Sequence, residues 1–153
     1  MQIKDPLPES DNEKVSGRTI RARNTFHKSE RLCSRKIISG LIDKGNSFYT
    51  GTFKVLWSEC ALNSGFPVQV AFSVTKNTFR LAVKRNLIKR RIREAYRKHK
   101  QPLYEFLERE NIQIALLIIF RRNEVPDYSE IERSVIDMRD RLIVRVRELS
   151  VKC

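Results

Sequence analysis

The spacing of apolar residues divides the chain into a polar N-terminal stretch and an ordered remainder. Residues 1–24 contain Pro6, Pro8, Gly17 and mixed charges with few apolar side chains, which predicts a flexible tail. From Ser29 to Lys44, Leu32, Ile37, Ile38, Leu41 and Ile42 recur with helical spacing, and Gly45 supplies a stop signal. Residues 52–58 then alternate, with Phe53, Val55 and Trp57 on one side and Lys54 and Leu56 on the other. Asn63-Ser-Gly-Phe-Pro67 reads as a turn, so the next strand, Val68 to Thr75, is expected to pair antiparallel with the previous one. Val68, Val70, Phe72 and Val74 share one face of it, and Gln69, Ala71, Ser73 and Thr75 the other.

Helical periodicity runs from Leu81 to Lys100, where Pro102 is read as the closure. Ile112 to Phe120 is apolar on both faces, as an interior strand requires. A last helix begins near Ser129, where Ser129-x-x-Glu132 fits a capping box, and carries Ile131, Val135, Ile136, Leu142, Ile143 and Val146. The order helix, strands, helix, strand, helix predicts an α+β protein: a small two-layer sandwich of about four strands with helices packed on the sheet. We read residues 25–149 as one domain and 150–153 as a short C-terminal tail.

Composition narrows the class. The length, 153 residues, suits one domain. A hydrophobic fraction of 41% supports one modest core, while 32% charged residues is too many for a membrane protein. The longest apolar run, Ile114 to Phe120, has seven residues, whereas a spanning helix needs about 20. Lys4, Asp5, Glu9 and Asp11 interrupt the N-terminus, so no secretory signal is expected. Cys33, Cys60 and Cys153 are odd in number without CxxC spacing, which argues against a disulfide framework or a cysteine zinc site and favours a reducing cytoplasm. The two histidines, His27 and His99, lie far apart, and the sequence is poor in catalytic groups.

Charge gives the first positive clue. The net charge is +13, and between Lys76 and Lys100 stand eleven Lys/Arg against one acid, Glu94. At 100° per residue, Ile88, Ile92, Ala95 and Leu81 form a buried stripe. Arg85, Asn86, Lys89, Arg90, Arg93 and Arg97 fall on another face. Parallel cations on one rod repel each other unless closely spaced phosphates neutralise them, releasing counterions as they do so. Arginine also forks onto phosphate oxygens through paired donors. The competing readings are a solvated helix face and an anionic membrane surface. Solvated faces usually mix signs, as the last helix does, and the apolar stripe is too narrow for a membrane. Glu94 is expected to pair with Arg90 or Arg97 rather than act as a base. Lys76 suits either a phosphate contact or an ordinary strand end. Composition stops at a polyanion binder, RNA or DNA.

The run AFSVTKNTFRLAVKRNLIKRRIREAYR resembles the signature of the bacterial ribonuclease P protein family. Ser73-Val74-Thr75-Lys76 stands for the strand end, and Arg85-Asn86-x-x-Lys89-Arg90-x-x-Arg93-Glu94 for the helix motif. With the element order, the resemblance spans residues 25–148. It implies the protein subunit of a cytoplasmic ribonucleoprotein that removes the 5′ leader of precursor tRNA. It implies one protein per catalytic RNA, Mg²⁺ held at the RNA active site with no cofactor on the protein, and no catalytic residue in this chain. The RNA would be bound by Arg85, Asn86, Lys89, Arg90, Arg93, Arg97 and Lys76. A left-handed crossover between parallel strands belongs to the same resemblance. A cleft on the sheet would receive the leader, its wall formed here by Ile38, Ile42, Lys54, Leu56, Gln69 and Ser73. That wall is aliphatic and polar, with Trp57, Phe53, Val55 and Phe72 assigned to the core, so mainly electrostatic leader binding is expected. Two other classes stay open: a ribosomal or ribosome-assembly RNA-binding protein on the same scaffold, and a nuclease in its own right. The second needs clustered acids, and the basic segment offers only Glu94.

Overall fold

A computed structural model describes residues 26–62 and 65–152. The expected tail at residues 1–24 lies outside the described residues. A 3-10 turn at Lys28–Glu30 leads to helix α1, Arg35–Lys44. Strands β1, Asn46–Tyr49, and β2, Phe53–Glu59, form a hairpin, and β3 spans Val68–Ser73. Helices α2, Ala82–His99, and α3, Gln101–Glu110, precede β4, Ile114–Phe120, and α4, Tyr128–Lys152, ends the chain's described part. The expected α+β fold is present as four helices on a four-stranded mixed sheet ordered β1-β2-β4-β3.

One pairing differs from expectation. β3 lies parallel to β4, with Val70 opposite Leu116, instead of antiparallel to β2. β4 also pairs antiparallel with β2, Trp57 opposite Leu116, and so occupies the interior position its two apolar faces demand. A turn after β2 does not determine which strand lies beside it, and the more apolar strand takes the centre.

The main core lies between the sheet and α2–α4. Phe53, Val55 and Trp57 meet Ile88, Ile92, Ala95, Leu103, Ile131 and Val135 there. Lys54 and Leu56 turn to the other face, as the alternation predicts, where α1 adds a thin extra layer. Leu32, Leu41, Leu56, Ala115 and Leu117 form a second, small core beneath it. The Leu32 N–H donates to the Val70 carbonyl at 2.9 Å, and Gly45 leads directly into Asn46, which faces Trp57. Val70, Leu116 and Trp57 are in register, so α1 enters and leaves at one level of the sheet. Gly45 ends α1 in extended backbone. A Cβ there would lie 2.5 Å from the Leu41 carbonyl oxygen, so close approach rather than a left-handed turn requires glycine.

Several helix limits differ from the periodicity. α1 begins at Arg35 under a Ser34 cap, and the preceding 28–32 segment runs along the outer edge of β3 through an Arg31–Val70 bridge. Pro102 opens α3 instead of merely closing α2, since proline is tolerated in a first helical turn. The Ser129–Glu132 capping box does not form. The Asp127 carboxylate accepts from the Glu130 N–H and from the Ser129 hydroxyl, each at 3.0 Å, and Glu132 is engaged by His99. The segment read as a C-terminal tail is helical through Lys152.

A buried ionic cluster fixes the N-terminal segment to the α2–α3 junction. Lys100 Nζ donates to Glu30 Oε1 at 2.5 Å, and the Tyr104 hydroxyl donates to the same oxygen at 2.6 Å. The Lys100 ammonium also lies over the rings of Phe26, Phe66 and Tyr104. Burial lowers the Lys100 pKa, an effect opposed by its hydrogen bond to Glu30.

Candidate nucleic-acid interface

α2 rests on the sheet through Ile88, Ile92 and Ala95, all fully buried, so the opposite side of the helix faces outward. Leu81, assigned by spacing to the same stripe, is 61% exposed because it precedes the first helical turn. No acid stands in that first turn, while Arg97, Lys98 and His99 occupy the last, where the helix dipole favours cations.

The six face residues divide by what they touch. Asn86 and Arg90 are exposed and Lys89 is half-buried, and none forms a side-chain hydrogen bond or ion pair among the described residues. Arg93 is half-buried with its Nε enclosed and unpartnered among the described residues. Burial lowers its pKa first, and the nearby Arg31 guanidinium lowers it further. A like charge beside a partly desolvated arginine is costly unless an anion completes the site. Arg85 is different. Its Nη1 donates to the carbonyls of Phe79 at 2.7 Å and Arg80 at 2.9 Å, strapping the β3–α2 link whose Phe79 ring packs on Phe120. Arg97 forks onto Glu94 at 2.5 and 3.1 Å, which realises the expected helical pair and removes Arg97 from the uncompensated set. That hydrogen bond is also the main reason the Glu94 carboxyl lies below its ordinary range. Lys76 is exposed on the Thr75–Thr78 turn at the end of β3 that leads to α2. Arg91, outside the face on the helical wheel, turns toward α4 and donates to the Pro126 carbonyl at 2.7 Å.

The residues assigned to the cleft share the α1 face but not equal access. Leu56 is only 5% exposed beneath α1 and belongs to the small core, so it forms the floor and not an open wall. Ile38 is half-buried against that core, whereas Ile42 is 63% exposed. Lys54, Ile119 and Ser73 are in register in the next row, all half-buried, which marks the open end of this face beyond α1. Gln69 Nε2 donates to the Ser29 carbonyl at 3.2 Å and so holds the N-terminal segment. Sequence reasoning missed β1 and with it Tyr49, which extends the Lys54 row to the sheet edge. The alternation Ser47-Phe48-Tyr49 before Gly51 was the available signal. It also missed Arg31 and Arg121, basic residues outside the dense run.

Among the described residues no helix is long and apolar enough to cross a membrane, and no group of three or more His, Cys, Asp or Glu is placed to hold a metal ion.

A basic helix seated on a mixed sheet, with outward cations uncompensated among the described residues and a second sheet face partly covered by α1, defines a small α+β protein suited to a polyanion. The chain belongs to the ribonuclease P protein family: the Ribonuclease P family model matches residues 26–143. The ribonuclease P protein component of Porphyromonas gingivalis (strain ATCC 33277) is 33% identical over 108 residues, covering 71% of this chain and 79% of that protein. That of Chlorobium phaeobacteroides is 31% identical over 122 residues, covering 73% and 84%. Among solved structures, the Staphylococcus aureus RNase P protein aligns with a TM-score of 0.56 at 22% identity, over 78% of this chain and 96% of that one. The Thermotoga maritima RNase P protein aligns at 0.58 and 20% identity, over 73% and 96%. These two likenesses are of fold.

Proposed function

We propose that this chain, as the protein component of ribonuclease P, binds the catalytic RNA subunit one-to-one through α2. On the same reading it guides the 5′ leader of precursor tRNA along the α1 face of the sheet. The observation that carries this reading is the set Asn86, Lys89, Arg90 and Arg93, which presents cations without carboxylate partners among the described residues. Such a surface is completed by phosphates, and each phosphate contact contributes through counterion release. Arg85 acts on RNA indirectly on this view, by fixing the link that sets the start of α2, while Lys76 extends the basic surface from the end of β3.

The chain's own contribution is binding and orientation. The acid of the basic helix, Glu94, is held by Arg97 and is not placed to activate water. On this reading hydrolysis falls to the RNA subunit and the Mg²⁺ ions at its active site, in the cytoplasm where precursor tRNA is matured. The test is to incubate precursor tRNA and Mg²⁺ with the pure protein, with the RNA subunit, and with both. Leader removal is expected with both and not with protein alone. Cleavage by the protein alone would establish a nuclease in its own right. Absence of any effect of the protein on RNA-dependent cleavage, with co-purification on ribosomal subunits, would assign it to ribosome assembly.

A further inference from the structure

Tyr49 ends β1 on the face opposite the main core, because its neighbour Phe48 points into that core opposite Val55. It is 50% exposed and in register with Lys54. The Lys54 ammonium lies 5.8 Å from the ring centroid and the Arg121 guanidinium 4.6 Å from it. Arg121 follows Phe120, a core residue, so its side chain falls on the same side of the sheet as Tyr49. The backbone beneath is fixed: the Arg121 N–H donates to the Thr52 carbonyl at 2.9 Å, and Arg141 Nη1 donates to the Tyr49 carbonyl at 2.9 Å. Neither Lys54 nor Arg121 is ion-paired among the described residues.

An exposed aromatic ring, held on a rigid strand with two cations over it that can swing onto phosphates as a base takes their place, matches the alternation of base and phosphate in single-stranded RNA. Bases stack on the ring, and the cations take the neighbouring phosphates or stack in turn. We infer that Tyr49 is a base-stacking platform for the single-stranded leader, with Lys54 and Arg121 engaging its flanking phosphates. The inference rests on the reading of the α1 face as the leader cleft. It adds an aromatic contact to a wall that is otherwise aliphatic and polar, and it places that contact one strand outward from Leu56.

The test uses the holoenzyme reconstituted with the RNA subunit and compares affinity for precursor tRNA with affinity for mature tRNA. Tyr49→Ala is expected to weaken precursor binding at least about fivefold, the low end for one lost base stack, and to leave mature tRNA unchanged. Tyr49→Phe should retain wild-type affinity. A 2-aminopurine placed in turn at each leader position should be quenched at one of them by the wild type and by Tyr49→Phe, and not by Tyr49→Ala. Thermal unfolding verifies that the variants fold, as a half-exposed side chain allows. Unchanged precursor affinity and quenching in Tyr49→Ala overturn the inference. Ser73→Glu, at the far end of the same row, then separates two failures. If it still weakens leader-dependent binding, the cleft reading stands without Tyr49. If it does not, both fall.

Discussion

Helices α2 and α4 pack side by side and each carries five arginines, yet the two sets are used in opposite ways. α2 has one acid and α4 has five. On α4, Arg141 pairs with Asp137, Arg139 with Asp140, and Glu130 with Arg122. Arg145 and Arg147 lie over the rings of Phe48 and Phe106, and Arg139 Nη1 donates to the His99 carbonyl at the end of α2. On α2 the cations facing α4 are also occupied: Arg91 by Pro126, and Lys98 by Glu94 and the Tyr128 ring. Those on the far side, Lys89, Arg90 and Arg93, are not, among the described residues. Partnership, more than arginine number, distinguishes a surface that completes itself from one that needs a polyanion.

The largest effect should come from the most enclosed cation. Lys100→Met leaves the Glu30 carboxylate buried beside Tyr104 without its counter-charge, which costs about 3–5 kcal/mol. Lys89→Met removes a cation without a partner among the described residues and should change stability by less than about 0.5 kcal/mol. Equal unfolding midpoints for the two variants would break the division between paired and uncompensated cations.

A smaller contrast sharpens it within α2. Arg91→Ala deprives the buried Pro126 carbonyl of its donor and should cost about 1.5–3 kcal/mol in stability, with RNA affinity little changed. Arg93→Ala should do the reverse, and Lys89→Ala combined with Arg90→Ala should lower the log–log salt slope of RNA binding by about 1.4–1.8. If Arg91→Ala and Arg93→Ala weaken binding equally, RNA does not read a single face.

The outward and inward halves of α2 were legible in the sequence because the 3.6-residue period separates them and Ile88, Ile92 and Ala95 are unambiguous. The division of Phe53, Val55 and Trp57 from Lys54 and Leu56 was legible for the same reason at period two. Partners distant in sequence were not. Nothing local reveals that Arg91 reached residue 126, or that Glu30 met Lys100 across seventy positions. Nor did the turn signal at 63–67 show that β4 would enter between β2 and β3. The four residues of β1 carry only the short Ser47-Phe48-Tyr49 alternation, too brief to stand out, and Tyr49 was lost with it.

The smallest effect lies at the α2–α4 seam itself. His99 Nε2 donates to Glu132 Oε2 at 2.8 Å, and this bond holds the Glu132 carboxyl below its ordinary value of 4.5. The folded chain therefore takes up that proton less readily than the unfolded one. Its stabilisation is complete above about pH 4.5 and is lost as pH falls through the folded value. Glu132→Gln should flatten the acid limb of thermal stability slightly. Parallel acid limbs in parent and variant would show that the seam draws nothing from this pair.

The position of β4 also orders events during synthesis. The strand that joins both halves of the sheet is the last of the four to be made. Until residue 120 has emerged, β3 has no partner among the described strands, and the β1–β2 hairpin stands alone, a unit of marginal stability by itself. The basic helix is therefore translated before the platform that will carry it exists. Closure of the sheet then depends on pairings distant along the chain, the class of contact that slows folding most.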